Sequence, residues 1–245
     1  MGMISIIKAE FLKQNRTFGG KIIWLAPVTT LILAFIMVAG VKNAYAESAW
    51  NWWYVLLLPG ALAILCGLTI AKEKKIKYFY QLTLPLEKRR LMLGKMCYLI
   101  LTLFGANVVL SVGATLGGSV LTTSVPVSGA FPAVVVLTIT YLWEIPFFLF
   151  LSIRFGMFVT VLTGVLLAVL GTGMASSGNW WMFAPAIPIR VVCPLLHVLP
   201  NGLRAEAGDA LLDAGVLLPG IMLSLFWFFV ATVLFLKWFE RKEVR

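Results

Sequence analysis

The sequence predicts an all-α integral membrane protein with six transmembrane helices. Three observations carry this expectation. Of the 245 residues, 61% are hydrophobic and only 12% charged, whereas a soluble domain is about half apolar and a quarter charged. The apolar residues gather in six runs, each near the roughly 20 residues that a helix rising 1.5 Å per residue needs to cross the hydrocarbon. The cations, finally, sort to one side of those runs.

The elements follow in order. Residues 3–14, "MISIIKAEFLKQ", place Ile4, Ile7, Phe11 and Leu12 at the spacing of one helical face, with Lys8, Lys13 and Gln14 largely off it. This predicts an amphipathic helix lying on the inner membrane surface within a cytoplasmic segment, 1–21. The spans are placed at 22–41, 53–71, 96–121, 133–152, 156–174 and 216–236. The first span is not read as a cleavable signal. Its apolar run exceeds the 7–15 residues usual for a signal core, and Lys42 and Asn43 interrupt it before "AYA" at 44–46. Between spans two and three, 72–95 forms a basic loop. Residues 175–215 form the largest outer segment. It is too apolar for a simple solvated loop, yet Pro185, Pro188, Pro194 and Pro200 rule out a straight seventh span. Broken, re-entrant helices before the last span are expected, ended by the turn signal "PNG" at 200–202. No repeat divides the chain, so 1–245 reads as one domain.

With the N-terminus inside, 17 of the 20 Lys and Arg residues fall on the cytoplasmic side; only Lys42, Arg190 and Arg204 fall outside. That split places both termini in the cytoplasm of a multi-pass cell-membrane protein. The stretch 72–90 alone carries seven cations, and topology can explain all of them.

Several chemistries are absent. There is no G-x-x-x-x-G-K-[ST] loop, so the chain is not expected to hydrolyse ATP, and no catalytic constellation is present. One histidine, His197, and three scattered cysteines, Cys66, Cys97 and Cys193, give neither a metal site nor a disulfide framework. No basic stretch demands nucleic acid. Glu144 is the one acid placed inside a span, two positions before Pro146. A carboxylate there must face the bundle or a cavity. It is a candidate point on a substrate route, or a side chain bonded to a neighbouring helix. "GATLG" at 113–117 has the spacing that lets two helices approach closely.

Six spans, an inner-surface helix and one long basic loop resemble the permease subunits of ABC-2-type exporters. In that family the loop shows a Glu, then a Leu-x-x-Pro-like element, then a Lys as the next span begins. Glu73, "LTLP" at 82–85 and Lys95 stand in that order. "WLAP" at 24–27, "WNWWYVLLLPG" at 50–60 and "IPIRVVCPLLHVLPNG" at 187–202 further resemble the lantibiotic immunity permeases of the epidermin, mutacin and nisin type. Of the two permease subunits in such systems, the resemblance leans to the first, often called the E-type.

The resemblance implies partners. These are a cytoplasmic ATP-binding subunit that holds ATP and Mg, a second related permease or a second copy of this chain, and a hydrophobic, often cationic peptide. This chain would bind no cofactor and would protect a Gram-positive cell by expelling the peptide from its membrane. The 72–95 loop would enter an ATPase cleft as a rigid lever. Exposed charge contributes little to fixed docking, so shape would come from Tyr78, Phe79, Tyr80, Leu84 and Pro85, beside Glu73 and Lys95. Candidate substrate contacts are Glu144, Trp50, Trp52, Trp53, Trp180 and Trp181; interfacial anchoring is the plainer role for the tryptophans. An exporter of another hydrophobic substrate, drug or lipid, and a non-transporting membrane scaffold are the alternatives.

Overall fold

The computed structural model describes residues 2–15, 17–38, 44–75, 87–121, 125 and 127–241. Among them every regular element is helical, apart from an isolated antiparallel bridge between Val198 and Arg204. Five helices are long and apolar enough to span a membrane, or six when one bent pair counts as a single span.

The elements run α1 (Met3–Asn15), α2 (Phe18–Met37), α3 (Tyr45–Trp52), a π-helical turn (Trp53–Leu57) and α4 (Leu58–Lys75). Then follow α5 (Lys88–Leu121), α6 (Val127–Tyr141), α7 (Glu144–Arg154), α8 (Met157–Ala175), α9 (Ala186–Leu196) and α10 (Leu217–Glu240). Span two is the continuous Tyr45–Ala71, and it begins earlier than the apolar run suggests. Span three covers 34 residues, about 50 Å of helix at 1.5 Å per residue. It therefore outruns the hydrocarbon, and its first turns, Lys88–Lys95, escape a hydropathy reading that begins the span at 96.

The fourth span, expected as one helix over 133–152, is broken instead. α6 and α7 meet at 43°. Pro146 supplies the reason. It lacks an amide N–H, and its ring crowds the carbonyl four residues back, at Leu142. The helix stops at Tyr141, turns through Leu142 and Trp143, and restarts at Glu144. α7 then reverses into α8 at Gly156, whose φ of 97° favours glycine.

Small residues set the helix approaches. On α5, Gly105 faces Ile23, Gly113 faces Leu31 and Gly117 faces the Tyr45 ring. The "GATLG" spacing thus seats α2 and α3 against span three. α4 lies centrally against α2, α7 and α8, with Gly164 of α8 closing on Ala63 and Phe148.

Contacts also gather parts of the chain at the two ends of the bundle. At one end, α1 packs on α5, and Lys88 Nζ donates to the Glu240 carbonyl at 3.3 Å. At the other, Asn51 Nδ2 donates to the carbonyls of Leu199 and Pro200 at 3.2 and 3.1 Å. There α9, an 11-residue helix, is almost wholly buried. It rises about 17 Å, roughly half a hydrocarbon core. His197, in the left-handed region at φ 57°, ends it. Arg190 of α9 donates to the carbonyls of Leu211 and Ala210 at 2.7 and 3.1 Å, tying down the segment that leads into α10.

Candidate functional site

The most concentrated charged chemistry lies where α1, the end of α4 and the start of α5 meet. Helical spacing puts Ile6, Glu10 and Gln14 on one face of α1, and that face is buried. Gly94 lets it come close. A Cβ there would stand 2.5 Å from the Ile6 Cγ2 methyl. The neighbouring Lys95 is 1% exposed. Its Nζ donates to Glu10 Oε2 and to Glu73 Oε1, both at 2.9 Å. Lys13 closes the ring from the solvent side, donating to Glu10 Oε1 at 2.7 Å and Glu73 Oε1 at 3.3 Å. Two carboxylates and two ammonium groups balance, as buried charges require. Glu73 Oε2 keeps a free acceptor position, buried and without a hydrogen-bond partner among the described residues.

The sequence singled out Glu73 and Lys95, and the fold brings them into direct contact. It did not single out Glu10 and Lys13. A signal was present: Glu10 is the only acid before Glu47, and it stands one turn after Ile6 at the edge of the apolar stripe. The expected apolar face of α1 is only partly turned outward. Ile4 and Leu12 are 71% and 74% exposed, but Phe11 packs on Tyr98, and the side that meets the protein joins the apolar Ile6 to the polar Glu10 and Gln14. Tyr78, Phe79, Tyr80, Leu84 and Pro85 lie outside the described residues.

The cluster has a definite pH range. Burial by itself would push the Glu10 carboxyl up; the Lys95 and Lys13 ammonium groups offset this and hold it below its ordinary 4.5. Burial would push Lys13 down, but Glu10 and Glu73 hold it above its ordinary 10.5. A lowered acid stabilises the fold above its unfolded value, and that contribution is lost as pH falls through the folded one. A raised lysine stabilises below its unfolded value, and that contribution is lost as pH rises through the folded one. Docking of α1 is therefore expected to be flat across neutral pH and to weaken in acid, as pH falls below the ordinary glutamate value of 4.5. An environment-sensitive probe on the exposed position 4 would show one acid transition, which Glu10→Gln would remove.

The other candidates stand apart from this cluster. Glu144 heads α7 at the helix break and is buried, and among the described residues neither its Oε2 nor the indole N–H of Trp143 beside it in sequence has a hydrogen-bond partner. Nearby, Tyr141 donates its hydroxyl to the Tyr54 carbonyl in the π-helical turn. Trp50 and Trp53 stand inside the bundle, not at its rim. Trp53 Nε1 donates to Asn107 Oδ1 at 2.8 Å, and Asn107 Nδ2 donates to Thr138 Oγ1 at 3.1 Å. Trp52 and Trp180 are half-buried, and Trp181 is exposed.

A bundle of helices long and apolar enough to span a membrane, with Glu73 and Lys95 at the two ends of one basic loop joined to an N-terminal helix, defines a multi-span membrane component. The chain belongs to the ABC-2 transporter family, since residues 6–175 match the family described as ABC-2 family transporter protein. No curated protein and no solved structure matches the chain. Membership makes it the membrane transport component of an ABC system, which works with a separate ATP-binding subunit.

Proposed function

We propose that this chain is a permease subunit, of the E-type, in an exporter that gives a Gram-positive cell immunity to a lantibiotic. ATP hydrolysis in the partner subunit drives it, beside a sister permease or a second copy of the chain. The ATP-driven part of this reading is supported above all by the Lys95 cluster. Glu73 and Lys95 bound the loop that an ATPase cleft would grip, and Lys95 holds both that Glu73 and the Glu10 of α1. When two ATPase subunits close on ATP, a push on the loop reaches spans two and three together. α1 rides with them, on the cytoplasmic side together with both termini. A rigid joint of this kind would pass a push on the loop to the spans as a rigid-body shift.

The peptide part of the reading is supported by the three stretches that resemble the immunity permeases. The peptide would enter from the outer leaflet beside the re-entrant α9. Trp181, exposed, and Trp52 and Trp180, half-buried, are reachable first. Trp50, Trp53 and Glu144 are reachable only once the bundle opens. Glu144 would then meet a cationic side chain of the peptide.

The test expresses the chain with its ATP-binding and permease partners in a lantibiotic-sensitive host. An ATPase that co-purifies and a resistance that needs ATP hydrolysis are expected. Glu144→Gln is expected to lower resistance at an unchanged protein level; unchanged resistance removes Glu144 from the route. Failure to retain any ATPase, with no protection, ends the exporter reading. Protection against an unrelated drug, or lipid extrusion, would replace the peptide as substrate.

A further inference from the structure

The helices divide by how they are joined. The Lys95 cluster holds α1, the end of α4 and the start of α5 together. Further along, Trp53 Nε1 donates to Asn107 of α5, and Asn107 Nδ2 donates to Thr138 of α6. The π-helical turn adds another tie. The Leu58 N–H donates to the Trp53 carbonyl, five residues back, and Pro59 has no N–H to offer. The Tyr54 carbonyl is thus left without a helical donor, and the Tyr141 hydroxyl of α6 takes that place. Spans two and three and α6 are one bonded body.

The α7–α8 hairpin stands outside that body. Its two helices are bonded to each other, Ser152 to Thr160 at 3.0 Å. Among the described residues, no hydrogen bond or ion pair joins either of them to another helix. The hairpin meets its neighbours at glycines instead. Gly67 of α4 lies against the Met157 side chain, Gly164 of α8 against Ala63 of α4, and Gly171 of α8 against the Pro185 carbonyl. Its link to α6 is the turn Leu142–Trp143, where the span bends by 43°. A break of this kind suits a hinge, and packed helices with no bond across them can slide. Just at the break, Glu144 Oε2 and the Trp143 indole N–H are buried with no partner among the described residues. Unpaired buried polar atoms are unfavourable. The packed arrangement therefore carries a penalty that is relieved once water or a polar group reaches them.

We propose that the α7–α8 hairpin is a separately moving gate, hinged at Leu142–Trp143, that parts from α4 when the bonded body shifts. α6 travels with spans two and three, and α7 stays with α8. Glu144 lies within electrostatic reach of Cys66 on α4, so parting uncovers it and sets the substrate route between span two and the hairpin. This rests on the reading that an ATP-binding subunit pushes the 72–95 loop; it does not depend on which substrate is moved.

Leu101 on α5, Phe131 on α6 and Phe158 on α8 are exposed. The experiment introduces Leu101→Cys with Phe158→Cys, or Leu101→Cys with Phe131→Cys, in the full chain with Cys66, Cys97 and Cys193 replaced. Each spin-labelled pair is placed in lipid nanodiscs, diluted with unlabelled chain, and read by double electron–electron resonance. The ATP-binding subunit is added with a non-hydrolysable ATP analogue. The 101–158 pair, which crosses the parting face, is expected to gain a second, longer distance. The 101–131 pair, within the bonded body, is expected to keep one. Pro146→Ala, which restores the missing amide and lets α6 run on into α7, is expected to lose most of the second population. A single unchanged 101–158 distance overturns the proposal, as does a 101–131 pair that changes with it or a second population indifferent to Pro146→Ala. If no ATP-binding subunit is retained, the exporter reading fails, and the chain alone decides the hinge: two 101–158 distances keep it, and one overturns it.

Discussion

Lys95→Met is expected to lower the stability of the chain by about 3 kcal/mol and to uncouple transport from ATP hydrolysis. Removing one partner of a buried ion cluster costs about 3–5 kcal/mol, because the opposite charges stay behind in a poor solvent for them. Two carboxylates are affected here, Glu10 and Glu73, each 2.9 Å from the lost ammonium. Lys13 remains within 2.7 Å of one and 3.3 Å of the other, which holds the cost to the lower end. Methionine keeps much of the aliphatic stem, so the change reports the charge more than the packing. Thermal unfolding of the purified chain measures the first effect. Substrate-stimulated ATPase activity, at a temperature where the variant is still folded, measures the second. A variant that keeps full stimulation would show that the cluster only holds the fold together.

Gly94→Leu is expected to act on the same joint without touching a charge. Even a Cβ at this position would press on the Ile6 methyl at 2.5 Å, and a leucine needs far more room. Overpacking costs typically about 1–3 kcal/mol. Relief is available only by lifting α1, which carries Glu10 and Lys13 away and leaves Lys95 with Glu73 alone. Faster hydrogen exchange confined to α1, with spans two to six unchanged, is the expected signature. Loss of coupling should accompany it. Ile6→Ala in the same chain makes space for the leucine and should restore part of both.

Much of the architecture was legible because the bilayer imposes a length. Apolar runs near 20 residues mark spans whatever they pack against, and proline placement marked the outer segment as broken. The joint was half legible. Glu73 and Lys95 stand out by their order around the loop, but nothing local says they touch. Glu10 was hidden for a physical reason. Periodicity finds apolar faces, and the face of α1 that meets the protein is Ile6, Glu10 and Gln14. Its burial is decided by Lys95, 85 positions away. The tryptophans misled in a similar way. Their frequency at membrane interfaces suggested rim positions for Trp50 and Trp53, whereas Asn107, 54 positions on from Trp53, gives the indole N–H a partner inside. The break before Glu144 could have been drawn from Pro146, had its clash four residues back been weighed above the apolar run.

The central claim is that α1, span two and span three move as one unit when the ATPase pushes. A crosslink tests it most directly. A Cβ at Gly94 would stand 3.3 Å from the Ile6 Cβ, close to the roughly 3.5–4.5 Å that a disulfide bridges. Ile6→Cys with Gly94→Cys, in a chain whose Cys66, Cys97 and Cys193 are replaced, fixes α1 to span three on oxidation. A rigid joint predicts that the oxidised complex transports as well as the reduced one. Transport lost on oxidation and regained with reductant would contradict the account, because α1 would then have to slide on span three during each cycle.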